Sequence, residues 1–145
     1  MREILFRGKR TDNGAWVEGA FCLKDCDNPF GDMVDRPSII KYDPPCDGFW
    51  FRVDPETVGQ FTGLTDKNGK KIFEGDIARA KIESGNHEGF TWPDMSVGFQ
   101  EGSFCLNDRN GYVFCVLGAF APSVTLEIIG NIHDNPELLK GGDTQ

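Results

Sequence analysis

The stretch QFTGLTDKNGKKIFEGDI, residues 60–77, decides the fold of this chain. Apolar and polar residues alternate on both sides of Asn68 and Gly69, and an Asn-Gly pair between alternating segments is a strong signal for a β-hairpin. A two-residue loop of this kind requires positive φ at both positions. The stretch therefore predicts two antiparallel strands joined by a tight turn.

The predicted turn also determines which residues face one another across the hairpin. Asp66 is expected opposite Lys71, beside the turn, where the two charges pair. Leu64 is expected opposite Phe73, so that both side chains pack on one face of the hairpin.

Three carboxylates in this stretch raise the alternative that it is a site of chemistry. A cluster of Asp66, Glu74 and Asp76 would suit a hard metal ion or acid/base catalysis. The stretch supplies no nitrogen ligand and no catalytic spacing, however, and surface carboxylates are common. We therefore interpret Asp76 as a turn residue that follows Gly75, and the whole stretch as architecture.

Length and composition predict one mainly β domain over residues 1–145. A chain of 145 residues has the common size of a single domain and buries about two-thirds of its unfolded surface. Its 18 glycines follow no repeating period, and they exceed the usual share of about 7%. The excess indicates many turns between short strands.

Segments on both sides of the decisive stretch predict further strands. Residues 2–8 and 15–23 form a first hairpin around Asn13 and Gly14. The other candidate strands are apolar or alternating runs between turn signals, at 38–42, 48–53, 96–100, 103–108, 112–118 and from 125 onward.

The chain is predicted to end in one short helix after the last strand. Asn135 suits the N-cap, and Pro136 suits the first helical position, where its missing N–H costs nothing. Two segments rich in Asp, Asn, Pro and Gly, 24–37 and 84–95, predict long loops.

The loop at 84–95 supplies the candidate binding residues. Its sequence, SGNHEGFTWPDM, is polar and glycine-rich but carries Phe90 and Trp92. Two large aromatic side chains are costly to leave in water, so we expect them to dock onto the body of the protein or onto a second subunit or partner. Phe90 and Trp92 are therefore the predicted partner-binding residues.

The net charge argues against a general nucleic-acid binder. The chain has 15 Lys and Arg against 23 Asp and Glu, a net charge of −8, whereas phosphate binding requires clustered basic residues. A nucleic-acid module would need a strip built from two short basic runs, which contain Arg7, Lys9, Arg10, Lys67, Lys70 and Lys71. We interpret both runs as solvated faces.

The five cysteines favour buried thiols over a metal site. Cys22 and Cys26 have a C-x3-C spacing that zinc accepts, but a structural zinc site needs four ligands, and Cys46, Cys105 and Cys115 are scattered singly. In apolar strand segments a cysteine packs as a small hydrophobe. Five cysteines cannot all pair, and an intracellular setting keeps them reduced.

No motif in the sequence assigns a reaction. The chain has no P-loop, G-x-G-x-x-G, H-E-x-x-H or G-x-S-x-G motif, and neither His87 nor His133 lies in a local Cys-His signature. We predict no catalytic, cofactor-binding or metal-binding residue. A small enzyme with an acidic cleft is the last of the three functional hypotheses.

The sequence also lacks signals for membranes and export. No apolar run reaches the ~18 residues of a membrane-spanning helix, and MREILFRGKR at the N-terminus has no apolar core of signal-peptide length. A cytoplasmic location without a membrane partner is expected.

Three segments together resemble the YopX family of phage and prophage proteins. They are ILFRGKRTDNGAWVEG at 4–19, VDPETVGQFTGLTDKNGKKIFEGDIARA at 53–80 and LEIIGNIHDNPELL at 126–139, and they occur in the family's order. The resemblance implies a single YopX-like domain, a β-rich fold with an SH3-like barrel element and a mobile-element origin. It implies no catalytic residue, because the family's biochemical function is not established.

The expected fold is mainly β and antiparallel, a partly closed SH3-like barrel with long loops and a short C-terminal helix. Barrel closure or homo-oligomer formation would protect the strand edges. The leading hypothesis is a non-enzymatic phage or prophage accessory protein that binds an unknown host or phage protein. The alternative is a nucleic-acid-associated small β-barrel module.

Overall fold

The computed structural model describes residues 3–23, 37–41, 49–82, 89–119 and 124–140. The chain divides into two compact units, Met1–Phe61 and Thr62–Gln145. Apart from Pro37, the predicted loop at 24–37 lies outside the described residues, as do residues 84–88 of the second predicted loop. The prediction of a single domain stays a prediction.

The first unit is built on antiparallel strands that pair mostly with their neighbours in sequence. Its strands are β1 (Phe6–Lys9), β2 (Trp16–Leu23), β3 (Pro37–Lys41), β4 (Phe49–Arg52) and the first part of β5 (Gly59–Thr65). Their order in the sheet is β4-β3-β2-β1-β5. A turn of 3-10 helix, Pro55–Thr57, precedes β5, and the Asp54 side chain caps it by accepting the N–H of Glu56.

The predicted first hairpin is confirmed. β1 pairs with β2, with Phe6 opposite Gly19 and Lys9 opposite Trp16. Gly14 lies in the connecting turn with a φ of 71°, a conformation that glycine adopts without strain.

The core of the first unit is small. Val17, Ile39 and Val53 are buried together, each from a different segment of the chain. Gly8 lies against Val53 so closely that a Cβ at Gly8 would lie 2.9 Å from the Val53 Cβ. The absence of a side chain at Gly8 therefore lets β1 approach this core.

The second unit contains a five-stranded antiparallel sheet. The elements of this second unit are the rest of β5, β6 (Lys71–Phe73), β7 (Asp76–Ile82), β8 (Met95–Gln100), β9 (Ser103–Asn107), β10 (Val113–Val116), β11 (Val124–Asn131) and α1 (Glu137–Lys140). The order in the sheet is β10-β9-β8-β7-β11, and β6 is the neighbour of β5. β11 pairs with β7 from Val124 opposite Ile82 to Asn131 opposite Asp76.

The main apolar core of the second unit lies on this sheet. Its buried residues come from β6, β7, β8, β9 and β11 and from the turn after β10: Ile72, Ala78, Ala80, Met95, Val97, Leu106, Leu117 and Ile128. The half-buried ring of Trp92 also packs against this cluster, so one of the two predicted binding aromatics is partly a core residue.

The structure confirms a mainly antiparallel β fold with one short helix near the C-terminus. Within the described ranges the two sheets do not close into a barrel, because each has a linear strand order that ends in two edge strands. No helix in this part of the chain is long and apolar enough to cross a membrane.

Candidate functional site

The decisive stretch forms a hairpin, but its turn differs from the predicted one. The Asp66 N–H donates to the Lys70 carbonyl at 2.8 Å, and the Gly69 N–H donates to the Asp66 carbonyl at 3.0 Å. Gly69 has a φ of 80°, whereas Asn68 is not among the residues with positive φ. The loop therefore contains three residues, Lys67 to Gly69, as a type I turn followed by a glycine in the left-handed region.

The predicted pairing across this hairpin is consequently wrong by one residue. Asp66 pairs with Lys70 and not with Lys71. A one-residue shift turns a side chain to the opposite face of a sheet, and Leu64 is 41% exposed while Phe73 is buried. The signal for the longer loop was the aspartate itself, because its carboxylate accepts backbone N–H groups that follow it in the turn.

The Asp66 carboxylate joins this turn to the last strand. Its Oδ1 accepts the N–H groups of Asn68 and Lys70, both at 2.9 Å, and its Oδ2 accepts the N–H of Ile128 at 3.0 Å. Burial raises the pKa of the Asp66 carboxyl, but the three N–H groups together outweigh burial and hold the pKa below its ordinary value.

Further backbone bonds connect two of the three segments that carry the family resemblance. The Lys67 N–H donates to the Leu126 carbonyl at 2.9 Å, and the Ile132 N–H donates to the Gly75 carbonyl at 2.8 Å. Residues 60–77 and 126–139 thus form one structural unit, since each segment supplies hydrogen-bond partners for backbone groups of the other.

Asn135 has a different role from the predicted helix cap. Its Oδ1 accepts the N–H of Asn131 at 3.3 Å, so its side chain points back to the end of β11. The helix begins at Glu137, after Pro136. Gly130 makes room for this arrangement, because a Cβ there would lie 2.5 Å from the Asn135 Oδ1.

Asp76, like Asp66, has a structural role in residues 60–77. Asp76 is 1% exposed, and its Oδ2 accepts the N–H of Phe73 at 2.8 Å across the turn between β6 and β7. In the described part of the chain, no group of three or more His, Cys, Asp or Glu side chains is placed to hold a metal ion. These bonds support the interpretation of Asp66 and Asp76 as architecture.

The predicted binding residues Phe90 and Trp92 lie together beside β7. The Ile82 N–H donates to the Phe90 carbonyl at 2.8 Å, and the Trp92 N–H donates to the Ala80 carbonyl at 3.0 Å. The two rings meet edge to face with their centroids 5.1 Å apart. Backbone pairing with β7 therefore fixes both aromatic residues.

Phe114 of β10 joins this pair, although no pattern in the sequence indicates it. Its ring lies 6.3 Å from the Trp92 ring, again edge to face. Phe90 is 56% exposed and Phe114 is 48% exposed. We call Phe90, Trp92 and Phe114 the aromatic surface.

A pocket of about 260 Å³ opens beside the aromatic surface. Its apolar wall includes Trp92, Met95 and Phe114, and its polar rim includes Asp94, Asp108 and Arg109. This volume is below the usual range of about 300–1,000 Å³ for small-molecule sites. The pocket is therefore small for a small-molecule site.

The carboxylates at the pocket already have partners. Arg79 Nε lies 3.1 Å from Asp94 Oδ1 and Arg79 Nη2 lies 3.3 Å from Asp94 Oδ2. This hydrogen-bonded pair raises the pKa of Arg79, so the guanidinium stays charged. Asp108 Oδ1 accepts the N–H groups of Asn110 at 2.9 Å and Tyr112 at 3.1 Å, which builds the turn before β10.

The basic run near the N-terminus is largely engaged within the first unit. Arg7 is buried, with its Cζ 4.7 Å from the centre of the Trp16 ring, and Lys9 Nζ lies 5.8 Å from the same ring. Arg10 forms an ion pair with Asp12 at 2.6 Å. Arg7 is therefore poorly placed to contact a phosphate.

The basic run in the second unit lies around the hairpin turn. Lys67, Lys70 and Lys71 are exposed, and Lys67 Nζ lies 3.8 Å from Glu127 Oε2. Within this unit the three lysines form a basic surface that lies beside the acidic side chain of Glu127. The nucleic-acid module that would use both runs stays a prediction.

Three of the five cysteines are described, and all three are free thiols: Cys22, Cys105 and Cys115. Cys105 is buried, as predicted, and its Sγ lies 3.3 Å from Asn107 Oδ1. Burial, and then the nearby Cys105, raise the pKa of the half-buried Cys115 thiol, which disfavours the reactive thiolate. Cys26 and Cys46 lie outside the described residues, and with them the C-x3-C motif.

The fold and the site define a small, mainly β protein in which the glycine-rich blocks build structure and an aromatic surface is left exposed. The family model described as YopX protein matches residues 5–140. The chain therefore belongs to the YopX family.

A solved structure resembles the protein over almost its whole length. It is the crystal structure of protein EF1440 from Enterococcus faecalis, which is 26% identical, with a TM-score of 0.52 over 96% of this chain and 99% of that chain. No curated protein matches the chain. Neither the family description nor the name of the solved protein states an activity.

Proposed function

We propose that the protein is a non-enzymatic accessory protein of phage or prophage origin that binds a host or phage protein through the aromatic surface. The observation that carries this proposal is the exposure of two of the three rings beside a pocket of about 260 Å³. The phage origin is what family membership implies.

The energetics of the aromatic surface suit a protein interface. At ~200 Å² for a whole phenylalanine, Phe90 and Phe114 each leave about 100 Å² of apolar area in water. Burying both is worth up to ~5 kcal/mol at ~25 cal/mol per Å². Anchors of this kind next to a pocket are typical of interface hot spots.

The polar groups around the pocket favour recognition over proton transfer. Asp94 is held by Arg79, and Asp108 accepts two backbone N–H groups, so both carboxylates orient the local structure. General acid/base catalysis needs a titratable group poised to exchange a proton with a ligand. Arg109, which is exposed at the rim, offers a charge for orienting a partner.

The test begins with affinity capture from a lysate of the host, with and without nuclease, followed by reconstitution with the purified partner. The tagged wild type is compared with a Phe90→Ser/Trp92→Ser double variant and with Phe114→Ser, whose exposed side chain can be changed without disturbing the core. Phe99→Ser is the matched control, because Phe99 is 54% exposed but lies on β8, outside the aromatic surface.

Titration of the purified partner decides the outcome. We expect a fixed stoichiometry with the wild type, at least about tenfold weaker binding to Phe114→Ser and to the double variant, and unchanged binding to Phe99→Ser. Equal affinity for all four proteins would refute the assignment of the aromatic surface. Capture of nucleic acid alone, lost with nuclease and with rising salt, would instead support the nucleic-acid module.

A further inference from the structure

We propose that β10 is a self-association surface, at which one copy of the chain pairs antiparallel with β10 of a second copy. β10 stands at the end of the five-stranded sheet and pairs only with β9 among the described strands. No described strand therefore occupies the other side of its backbone. Such an edge is a template for intermolecular pairing.

The composition of β10 leaves this edge unprotected. The segment GYVFCVLG, residues 111–118, contains no charged residue and no proline, the two devices that most often block strand addition. Four of its side chains are exposed on the described surface: Tyr112 by 72%, Val113 by 44%, Phe114 by 48% and Val116 by 49%.

The opposite edge of the same sheet is protected. On β11, the Ile128 N–H donates to the Asp66 carboxylate at 3.0 Å, and the Leu126 carbonyl accepts the Lys67 N–H at 2.9 Å. The hairpin turn thus satisfies outward-facing backbone groups of β11. The contrast within one sheet identifies β10 as the edge available to a partner strand.

The area available at β10 is that of a weak interface. With ~200 Å² for an aromatic residue and ~150 Å² for valine, the four exposed side chains present about 380 Å² per copy, or about 760 Å² for two copies. Stable interfaces bury about 1,200–2,000 Å² and transient ones less. β10 is short, and a bulge between Val113 and Cys115 distorts its pairing, which also limits the interface. A reversible dimer with micromolar affinity is expected.

The symmetry of the pairing makes β10 complementary to itself. An antiparallel pair of identical strands has a two-fold axis perpendicular to the sheet, so apolar side chains meet apolar side chains at the seam. The same axis keeps the two aromatic surfaces on one face of a continuous sheet. Each copy carries a net charge of −8, so screening by salt should strengthen the association.

The dimer is tested by sedimentation equilibrium of the full chain over a range of concentrations. Val116→Lys and Val113→Lys place a charge on β10 at exposed positions, and Ile132→Lys is the matched control, a β-branched residue that is 38% exposed outside β10. Circular dichroism verifies that each variant is folded. We expect the dimer dissociation constant to rise at least about tenfold for both β10 variants and to stay unchanged for Ile132→Lys.

Three results would overturn the proposal: a wild type that stays monomeric at all concentrations, β10 variants that associate like the wild type, or association that weakens as salt rises. Phe114 belongs both to β10 and to the aromatic surface. The double variant Phe90→Ser/Trp92→Ser separates the two proposals, because it keeps the sequence of β10 and should still dimerise. A dimer without a captured protein refutes only the proposed function. A captured protein that binds a strictly monomeric chain refutes only the self-association.

Discussion

Replacement of Asp66 by asparagine removes one oxygen of a carboxylate on which two distant segments converge. The single amide oxygen of Asp66→Asn can still accept the N–H groups of Asn68 and Lys70, as Oδ1 does now at 2.9 Å. Its NH₂ group then faces the N–H of Ile128, which Oδ2 accepts at 3.0 Å in the wild type. In the variant, the NH₂ group of the asparagine and the N–H of Ile128 are both donors, so no hydrogen bond forms between them.

The expected loss in the free energy of unfolding follows from the hydrogen bonds that Asp66→Asn removes or weakens. An unsatisfied buried N–H costs about 1–3 kcal/mol, and the two remaining bonds weaken because their acceptor is no longer charged. Asp66 is only 7% exposed, so water does not replace the missing acceptor. We expect Asp66→Asn to lower the free energy of unfolding by about 2–4 kcal/mol near neutral pH.

This difference should depend on pH with a definite sign. The pKa of Asp66 in the folded protein lies below its ordinary value of 3.8, so the carboxylate stabilises the fold fully above about that pH. As the pH falls through the folded pKa, the carboxyl becomes protonated and its contribution is lost. Because asparagine has no such step, the free energies of unfolding of the two proteins should converge once the pH is below the folded pKa of Asp66.

Urea unfolding at several pH values and amide hydrogen exchange measure the two effects. Exchange at the Ile128 amide should be faster in the variant, since that N–H loses its acceptor. Asp108→Asn is the matched control: Asp108 builds the same kind of turn, but both of its N–H donors bond to Oδ1, which an amide oxygen replaces. We expect a cost below about 1 kcal/mol for the control.

Two outcomes would refute this reasoning. If Asp66→Asn and Asp108→Asn lower the free energy of unfolding by the same amount, the bond to Ile128 contributes nothing to stability. If the cost of Asp66→Asn stays constant down to pH 3 or below, the ionised carboxylate is not the stabilising species.

Two glycine substitutions test the close approaches in each unit. Gly19→Ala places a Cβ against the Ile40 backbone carbonyl, which cannot rotate away, so we expect a loss of about 2–3 kcal/mol in urea unfolding, and a cost below 0.5 kcal/mol would contradict the observed packing. Gly130→Ala displaces the Asn135 side chain, since a Cβ would lie 2.5 Å from Asn135 Oδ1, and we expect a loss of about 1–3 kcal/mol. Adding Asn135→Ala to Gly130→Ala should cost less than the sum of the single changes, and strict additivity would show that the two residues are not in contact.

Strand positions were predictable because each strand is short and bounded by strong turn signals. The predicted strands at 38–42 and 103–108 correspond to β3 (Pro37–Lys41) and β9 (Ser103–Asn107). Glycine, asparagine and aspartate mark such turns through local backbone preferences, which a sequence states directly. The short C-terminal helix was found for the same reason, through Pro136 before its first turn.

The candidate site was only half predictable. Phe90 and Trp92 stood out because they are large aromatic residues in a polar loop. Phe114 lies in the apolar run of β10, where the sequence makes an exposed and a buried phenylalanine look the same. Its exposure arises because β10 is an edge strand with a bulge, and both are properties of sheet order.

The limit of local reasoning is clearest in two turns with nearly the same sequence. DKNGK at 66–70 and DRNGY at 108–112 form equivalent loops: the Asp N–H donates to the last carbonyl at 2.8 Å in both, and the glycine N–H donates to the Asp carbonyl at 3.0 Å in the first and 2.9 Å in the second. The two loops differ in their long-range bonds, including the bond of the second carboxylate oxygen. In the first it accepts the N–H of Ile128, 62 residues away, and covers the edge of β11. The second turn leads into β10, whose outer edge has no partner among the described strands. Because local sequence builds both turns alike, the turn sequence does not indicate the long-range bonds that protect the edge of β11, and these bonds are found only in the folded structure.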